Sequence, residues 1–472
     1  MEYKWVVLTV TTVGAFMAAL DSSVLIVGLP TVLQELNTTL VHGVWMMTGY
    51  RLAVTILLVA TGRAADMLGR VRLYNLGFAV FTVSSALCAL SQSGEQLVLF
   101  RIIQGIGGAL IIVNSVALIA DAFPATELGT GIGINFMAFT LGSIVGYTLS
   151  GIMVELAGWR SIFLINIPIG VFATFWARLR LKEMHRGASE KFDYYGAILY
   201  SSALTLILLA LSLYSPGSPE ALALLAAGLI LLPVFVAVEK RVTHPILDLV
   251  LFRIRLFSAG NLASLLNSLA FSSLPFLLTL YFQIIRREDA LTTGILFIPL
   301  EAAVLVGGPL SGKLSDRYGA RGLSTLGLFF NAATLFWLST TDQNTDYAAI
   351  TLGLIVAGVG RALFMSPNAS SIMGPVPPER RGVANGIRTT VVQTAVVVSL
   401  PLSLSFMSLA MPYSQLSQLT GETPNLAVDD TLIFLSALHY ALRISALLVL
   451  SAVIPSIMRG PKMNVKPKER PN

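Results

Sequence analysis

The chain has 472 residues, 55% of them hydrophobic and only 12% charged, with a mean hydropathy of +0.77. Those proportions exclude a string of soluble domains, and apolar runs of about twenty residues, each able to cross a bilayer as a helix, recur from end to end. One cysteine, Cys88, excludes an intrachain disulfide and a cysteine metal site, while the net charge of +6 has to be judged by its placement.

Fourteen spans are predicted, at about 5–29, 43–62, 72–92, 97–119, 130–152, 161–178, 195–214, 221–238, 257–282, 292–311, 322–340, 347–371, 383–409 and 432–456. The first run, Trp5 to Val27, is too long for a signal-peptide core, lacks a small-residue cleavage site and carries Asp21, so it reads as an uncleaved span. Orientation follows from Lys/Arg bias. With both termini cytoplasmic, the inner loops hold Arg63, Arg70 and Arg72, then Arg178 to Lys191, Lys240 to Arg255, Lys313 to Arg321, Arg380 and Arg381, and a basic tail. The outer loops are acidic or neutral (Glu35, Glu95, Glu220, Asp342, Asp346, Glu422, Asp429), apart from Arg286 and Arg287, which Glu288 and Asp289 follow. The basic charge is therefore topology plus contact with anionic lipid, and it sets nucleic acid aside as a partner. The chain is expected to be an integral protein of the plasma (inner) membrane.

Between spans 2 and 3 lies Gly62-Arg63-Ala64-Ala65-Asp66-Met67-Leu68-Gly69-Arg70-Val71-Arg72, and 250 residues later Gly312-Lys313-Leu314-Ser315-Asp316-Arg317-Tyr318-Gly319-Ala320-Arg321 repeats its Gly, acid and second Gly. Two copies of one hairpin imply two related halves. The division is 1–180 for a first six-helix bundle, 181–250 for a connecting segment with two extra spans, and 251–472 for a second bundle and tail.

These hairpins resemble the cytoplasmic signature of the major facilitator superfamily. Leu20-Asp21-Ser22-Ser23-Val24 through Gly28-Leu29-Pro30 resembles the first-span signature of its fourteen-spanner drug:proton antiporter branch. Arg101-Ile102-Ile103-Gln104-Gly105-Ile106-Gly107-Gly108 is similar to the fourth-span motif, and Trp159-Arg160, Phe163, Asn166 and Pro168-Ile169-Gly170 to the segment after span 5. The chain departs from the pattern at Tyr147, where Gly-Pro is usual, at Ile26 in place of Asn, and at Leu128 in place of Arg. The resemblance implies an all-α transporter working by alternating access, with Arg101 taking part in a proton relay near span 1. It also implies that Gly62, Asp66, Gly69, Arg70, Gly312, Asp316, Arg317 and Gly319 form a cytoplasmic gate.

An ionisable group at the centre of a span costs about 2.5–3.5 kcal/mol, so each needs a role or a partner. Asp21 lies about 24 Å into span 1. A carboxylate shut away from water can trade a proton at ordinary pH, as a proton-coupled exporter requires; the alternative is permanent pairing with an arginine. Arg51 and Glu301 are 250 residues apart, so opposite charges occupy equivalent sites of the two halves. Either they meet across a central cavity, or each pairs within its own half, Arg51 with Asp21 and Glu301 with Arg361. Arg361 has Glu301 or substrate as its partner, and Arg101, if not relaying protons, snorkels to the interface. Asp66 and Asp316 are expected at the N-termini of the following spans, with Arg70 and Arg72 against headgroups. Glycines at 105, 107, 108, 142, 146 and 151 are read as close-packing faces, and Pro275, Pro299, Pro309 and Pro367 as kinks. Asp21, Glu301 and Arg101 are the proton-coupling candidates, and Arg51, Arg361, Asn135, Tyr147 and Tyr281 the candidate cavity and charge-pair residues.

Gly307 to Lys313 matches a phosphate-loop spacing, but Leu314 stands where Ser or Thr is needed and no strand precedes it. With four scattered histidines and no ATPase domain, neither a metal, a cofactor nor an enzyme is expected, and a proton gradient is the energy source. The leading expectation is a monomeric, proton-coupled exporter of amphipathic, cationic compounds. A carrier of one anionic or zwitterionic metabolite and a transport-dead receptor or scaffold are the alternatives.

Overall fold

Long apolar runs broken by Gly, Pro and charge give long helices, because a backbone without water must bond within its own segment. The structure, a computed structural model, describes residues 2–124, 127–183, 193–212, 218–242, 249–377, 380–412, 415 and 428–459, apart from the side chains at 59, 60, 62, 63, 66, 194, 212, 316, 382 and 428–430. Within them there is no strand.

The first half holds α1 (Tyr3–Glu35), α2 (Leu40–Leu68), α3 (Arg70–Leu90), α4 (Gly94–Ala122), α5 (Leu128–Ala157), the short α6 (Ser161–Leu164) and α7 (Asn166–Arg180). Next come α8 (Tyr194–Ser212) and α9 (Pro219–Glu239), packed on each other. The second half has α10 (Arg255–Phe271), α11 (Leu274–Leu280), α12 (Ala290–Leu296), α13 (Ile298–Tyr318), α14 (Ala320–Leu338), α15 (Tyr347–Met373), α16 (Arg381–Met407) and α17 (Val428–Met458). Pro275 and Pro299 stand in the first turns of α11 and α13, where a missing N–H costs nothing, so they divide spans and do not merely bend them.

Among the described residues, twelve helices are long and apolar enough to cross a membrane. The expected count of fourteen is too high by that measure. The apolar stretch of α8 is too short, Tyr195–Leu211, and Arg321 and Asn331 dilute the apolar run of α14. The chain is an integral membrane protein. Arg186, Lys191, Glu422 and the basic tail residues beyond Arg459 lie outside the described residues.

The two-fold register shows in close approaches. A Cβ on Gly105 would meet the Tyr50 carbonyl at 2.4 Å and Ala53 Cβ at 2.8 Å, and one on Gly358 would meet the Leu300 carbonyl at 2.3 Å and Ala303 Cβ at 2.6 Å. Likewise a Cβ on Gly77 would stand 3.1 Å from the Gly107 carbonyl, and one on Gly327 2.6 Å from the Gly360 carbonyl. Hence α2 maps onto α13 with Arg51 opposite Glu301, and α4 onto α15 with Gly108 opposite Arg361. The hairpins match too: Gly69 (φ 102°) and Gly319 (φ 85°) break the chain between helices, each donating its N–H 2.9 Å to the carbonyl four residues earlier.

The halves join at the end away from the hairpins. There Leu291 backbone lies 2.1 Å from a Cβ built on Gly151, the Tyr147 carbonyl lies 2.1 Å from one built on Gly294, and Gln283 Nε2 donates 2.9 Å to the Val27 carbonyl. The largest apolar core spans both halves at this end, whereas the cores nearer the hairpins each belong to one half. Gly133 and Gly129 lie five turns along the same face of α5 from Gly151 and Tyr147, and a Cβ on either would touch nothing within 4 Å. The halves therefore splay apart towards the hairpins. On one flank α8 covers the line where α2 meets α16, through Leu204 and Leu208 against Leu52 and Val397 and a Tyr200–Thr394 hydroxyl contact.

Candidate functional site

Asp21 faces inwards from α1 and is 2% exposed, and Arg101 on α4 is 1% exposed. Arg101 Nη1 donates 2.7 Å to Asp21 Oδ2, Gln104 Nε2 3.0 Å to Asp21 Oδ1, and Asn166 Nδ2 2.8 Å to the same oxygen. Arg101 also donates to Gln104 Oε1 at 2.6 Å and, through Nε, to the Met46 carbonyl at 3.1 Å, with Tyr50's ring 4.6 Å from its guanidinium. Gln104 gives its second amide hydrogen to Ser85 Oγ at 2.7 Å. A buried ion pair holds only when its remaining donors and acceptors are satisfied, and five helices meet that demand here. Two expectations change. Arg101 does not snorkel, and it holds Asp21 in the place expected for Arg51.

In the other half the expected Glu301–Arg361 pair forms, Arg361 Nη1 to Glu301 Oε1 at 3.0 Å, with the Arg361 side chain one-third exposed. Tyr147 lies among Glu301, Arg361 and Arg51 and stacks obliquely on Phe297, ring centroids 4.9 Å apart. Arg51 makes no ion pair, and its guanidinium no hydrogen bond, among the described residues. It borders two small cavities. One lies between the halves and is lined also by Thr48, Ser272, Ser273, Phe276 and Leu400. The other is bounded by Ser22, Leu25, Met47, Tyr50 and Arg101.

Other candidates lie elsewhere. Asn135 Nδ2 donates 3.2 Å to Ser115 Oγ, tying α5 to α4 away from the charged residues. Tyr281 donates 2.6 Å to the Asp342 carbonyl and secures the closed end, outside both cavities. Asp66 and Asp316 fall in the last turns of α2 and α13, not at the starts of the following helices, and their side chains lie outside the described residues. The N-terminus of α3 is capped by Glu183, whose carboxylate accepts from Arg70 N–H at 2.8 Å and Val71 N–H at 3.1 Å. Arg70 pairs with Asp121 at 2.6 Å and does not point at headgroups, while Arg72 is exposed. Arg317 lies over the Tyr318 ring, 5.3 Å from its centroid.

Two related halves, a repeated hairpin and a cavity between them have a counterpart among known families, and the model described as Major Facilitator Superfamily matches residues 11–400. The chain belongs to that superfamily. It is 30% identical to the riboflavin transporter RibZ of Clostridioides difficile (strain 630), over 88% of this chain and 91% of that protein. It is also 30% identical to the tetracenomycin C resistance and export protein of Streptomyces glaucescens, over 82% of this chain and 73% of that protein. In fold it is similar to a solved bacterial homologue of the human lysosomal transporter Spinster, inward-facing and unoccupied, with a TM-score of 0.70, 16% identity and 97% of each chain covered. This facilitator is thus a transporter and not an enzyme. Sequence reasoning quoted Gln104 and Asn166 in motifs but gave them no role, and it missed Asp121 and Glu183 altogether. A neutral amide in a span carries little signal, although its cost in lipid is one.

Proposed function

We propose that this facilitator exports amphipathic organic molecules in exchange for protons, with Asp21 as the proton-carrying group and Arg101 as the charge it exchanges with. The supporting observation is the Asp21–Arg101 pair itself, sealed from water and completed by Gln104 and Asn166. Protonating Asp21 removes the charge that holds Arg101, so proton occupancy and side-chain arrangement change together. The splayed end carries the hairpins and their arginines, and the positive-inside rule makes it cytoplasmic, with both termini, in the plasma membrane. The three charges towards the seam, Arg51, Arg361 and Glu301, favour neutral or acidic cargo over the cationic compounds expected from motifs alone.

Riboflavin and tetracenomycin C, named for two relatives, are flat polar aromatics, and riboflavin is a fluorescent first probe. In proteoliposomes with an imposed pH gradient, the wild type is expected to concentrate riboflavin, and Asp21→Asn only to equilibrate it. Accumulation by Asp21→Asn equal to wild type would exclude Asp21 as the coupling acid.

A further inference from the structure

We infer that Arg51 is the anchor for an acidic group on the transported molecule, so that the preferred cargo is an amphipathic acid or zwitterion. This rests on the transporter reading above and adds the chemical class of the cargo. The equivalence of the halves gives the first argument. Glu301 is met by Arg361, whereas at the equivalent point of the first half Arg51 is matched with Gly108, which has no side chain to offer. A Cβ there would lie 2.5 Å from the Tyr50 hydroxyl, so Tyr50 fills the space.

An arginine this far into a membrane protein needs a counter-charge, and among the described residues none pairs with it. The second argument is its position. Arg51, like Met47, borders both the cavity between the halves and the cavity next to Arg101. Beside it, Tyr50 lines the same wall. A guanidinium at a cavity wall is a forked donor for a carboxylate or an acidic enol. Cargo seated there would bring negative charge beside Arg101 and weaken its hold on Asp21, linking cargo to proton.

Rhodamine B and its ethyl ester differ by one carboxylate and probe this directly. Exchange of each dye is followed in proteoliposomes of the full chain, with proton movement read by an internal pH dye. The wild type is expected to favour the acid. Arg51→Gln should lower the acid-to-ester ratio of 1/KM about tenfold, the loss of one charge-assisted hydrogen bond, and Arg51→Lys should keep most of it. A wild type that favours the ester, an unchanged ratio in Arg51→Gln, or equal loss of both dyes in both variants each overturns the inference. Wild-type exchange without proton movement sinks the antiport reading, while the ratio still judges Arg51. No exchange of either dye counts against both.

Discussion

Removing Arg101 is the sharpest test of the buried site. Arg101→Met deletes the 2.7 Å bond to Asp21, the 2.6 Å bond to Gln104 and the 3.1 Å bond to the Met46 carbonyl, with little loss of volume. Asp21 then keeps Gln104 and Asn166 but no counter-charge, at a site where it is 2% exposed. A charge-assisted bond contributes about 1.5–3 kcal/mol and a stranded buried charge raises the total to about 3–5 kcal/mol. Asp21→Asn should cost less, about 2–3 kcal/mol, because its amide oxygen still accepts from its neighbours while Arg101 loses its partner. The neutral double variant Asp21→Asn/Arg101→Met has no buried charge, so the cycle should show a favourable coupling of about 2–4 kcal/mol between the two residues. Denaturant unfolding of the purified protein in one detergent, repeated with each variant, measures it. A coupling below about 0.5 kcal/mol, or a double variant as unstable as the sum of the singles, would refute the claim that the two residues neutralise each other.

Gly69→Ala should lose about 1–2 kcal/mol for its positive φ, and more because its Cβ would also stand 2.7 Å from the Glu183 carboxylate. The same unfolding assay decides it, and an equal cost in a Glu183→Ala background would remove Glu183 from the account. Gly151→Leu cannot coexist with Leu291 backbone 2.1 Å from the first added carbon, so closure at that end should fail. Riboflavin accumulation is then expected to fall at least about tenfold, a barrier change of about 1.4 kcal/mol, and near wild-type accumulation would show the closed end to be dispensable. Glu301→Gln should cost about 1 kcal/mol, less than either Asp21 or Arg101 variant, because Arg361 is one-third exposed and water screens the loss. An equal or larger cost measured by unfolding would contradict that ranking.

The features legible from sequence were those that recur. The 250-residue offset of the hairpins carried over to Gly69 and Gly319 at one backbone geometry, and to Arg51 and Glu301 at one place in each half. The Glu301–Arg361 pair followed because both charges lie deep in spans of the same half. The Asp21 pairing did not follow from depth, since Arg51 and Arg101 both lie in its half and only the rotation of α4 decides between them. Arg70 was assigned to lipid because its partner, Asp121, stands 51 residues away at the far end of α4, where nothing local links them. Span counting overreached at α8 and α14, where the order of the rods was legible but the apolar length needed to cross was not met.

Asp21 is held by residues of four other helices or by a side chain they orient: Ser85 from α3 through Gln104, Arg101 and Gln104 from α4, Asn166 at the start of α7, and the Met46 carbonyl of α2 through Arg101. A change at that one carboxylate therefore reaches α2, α3, α4 and α7 through bonded groups. Under the proposed exchange, one proton would be read by most of the first bundle at once.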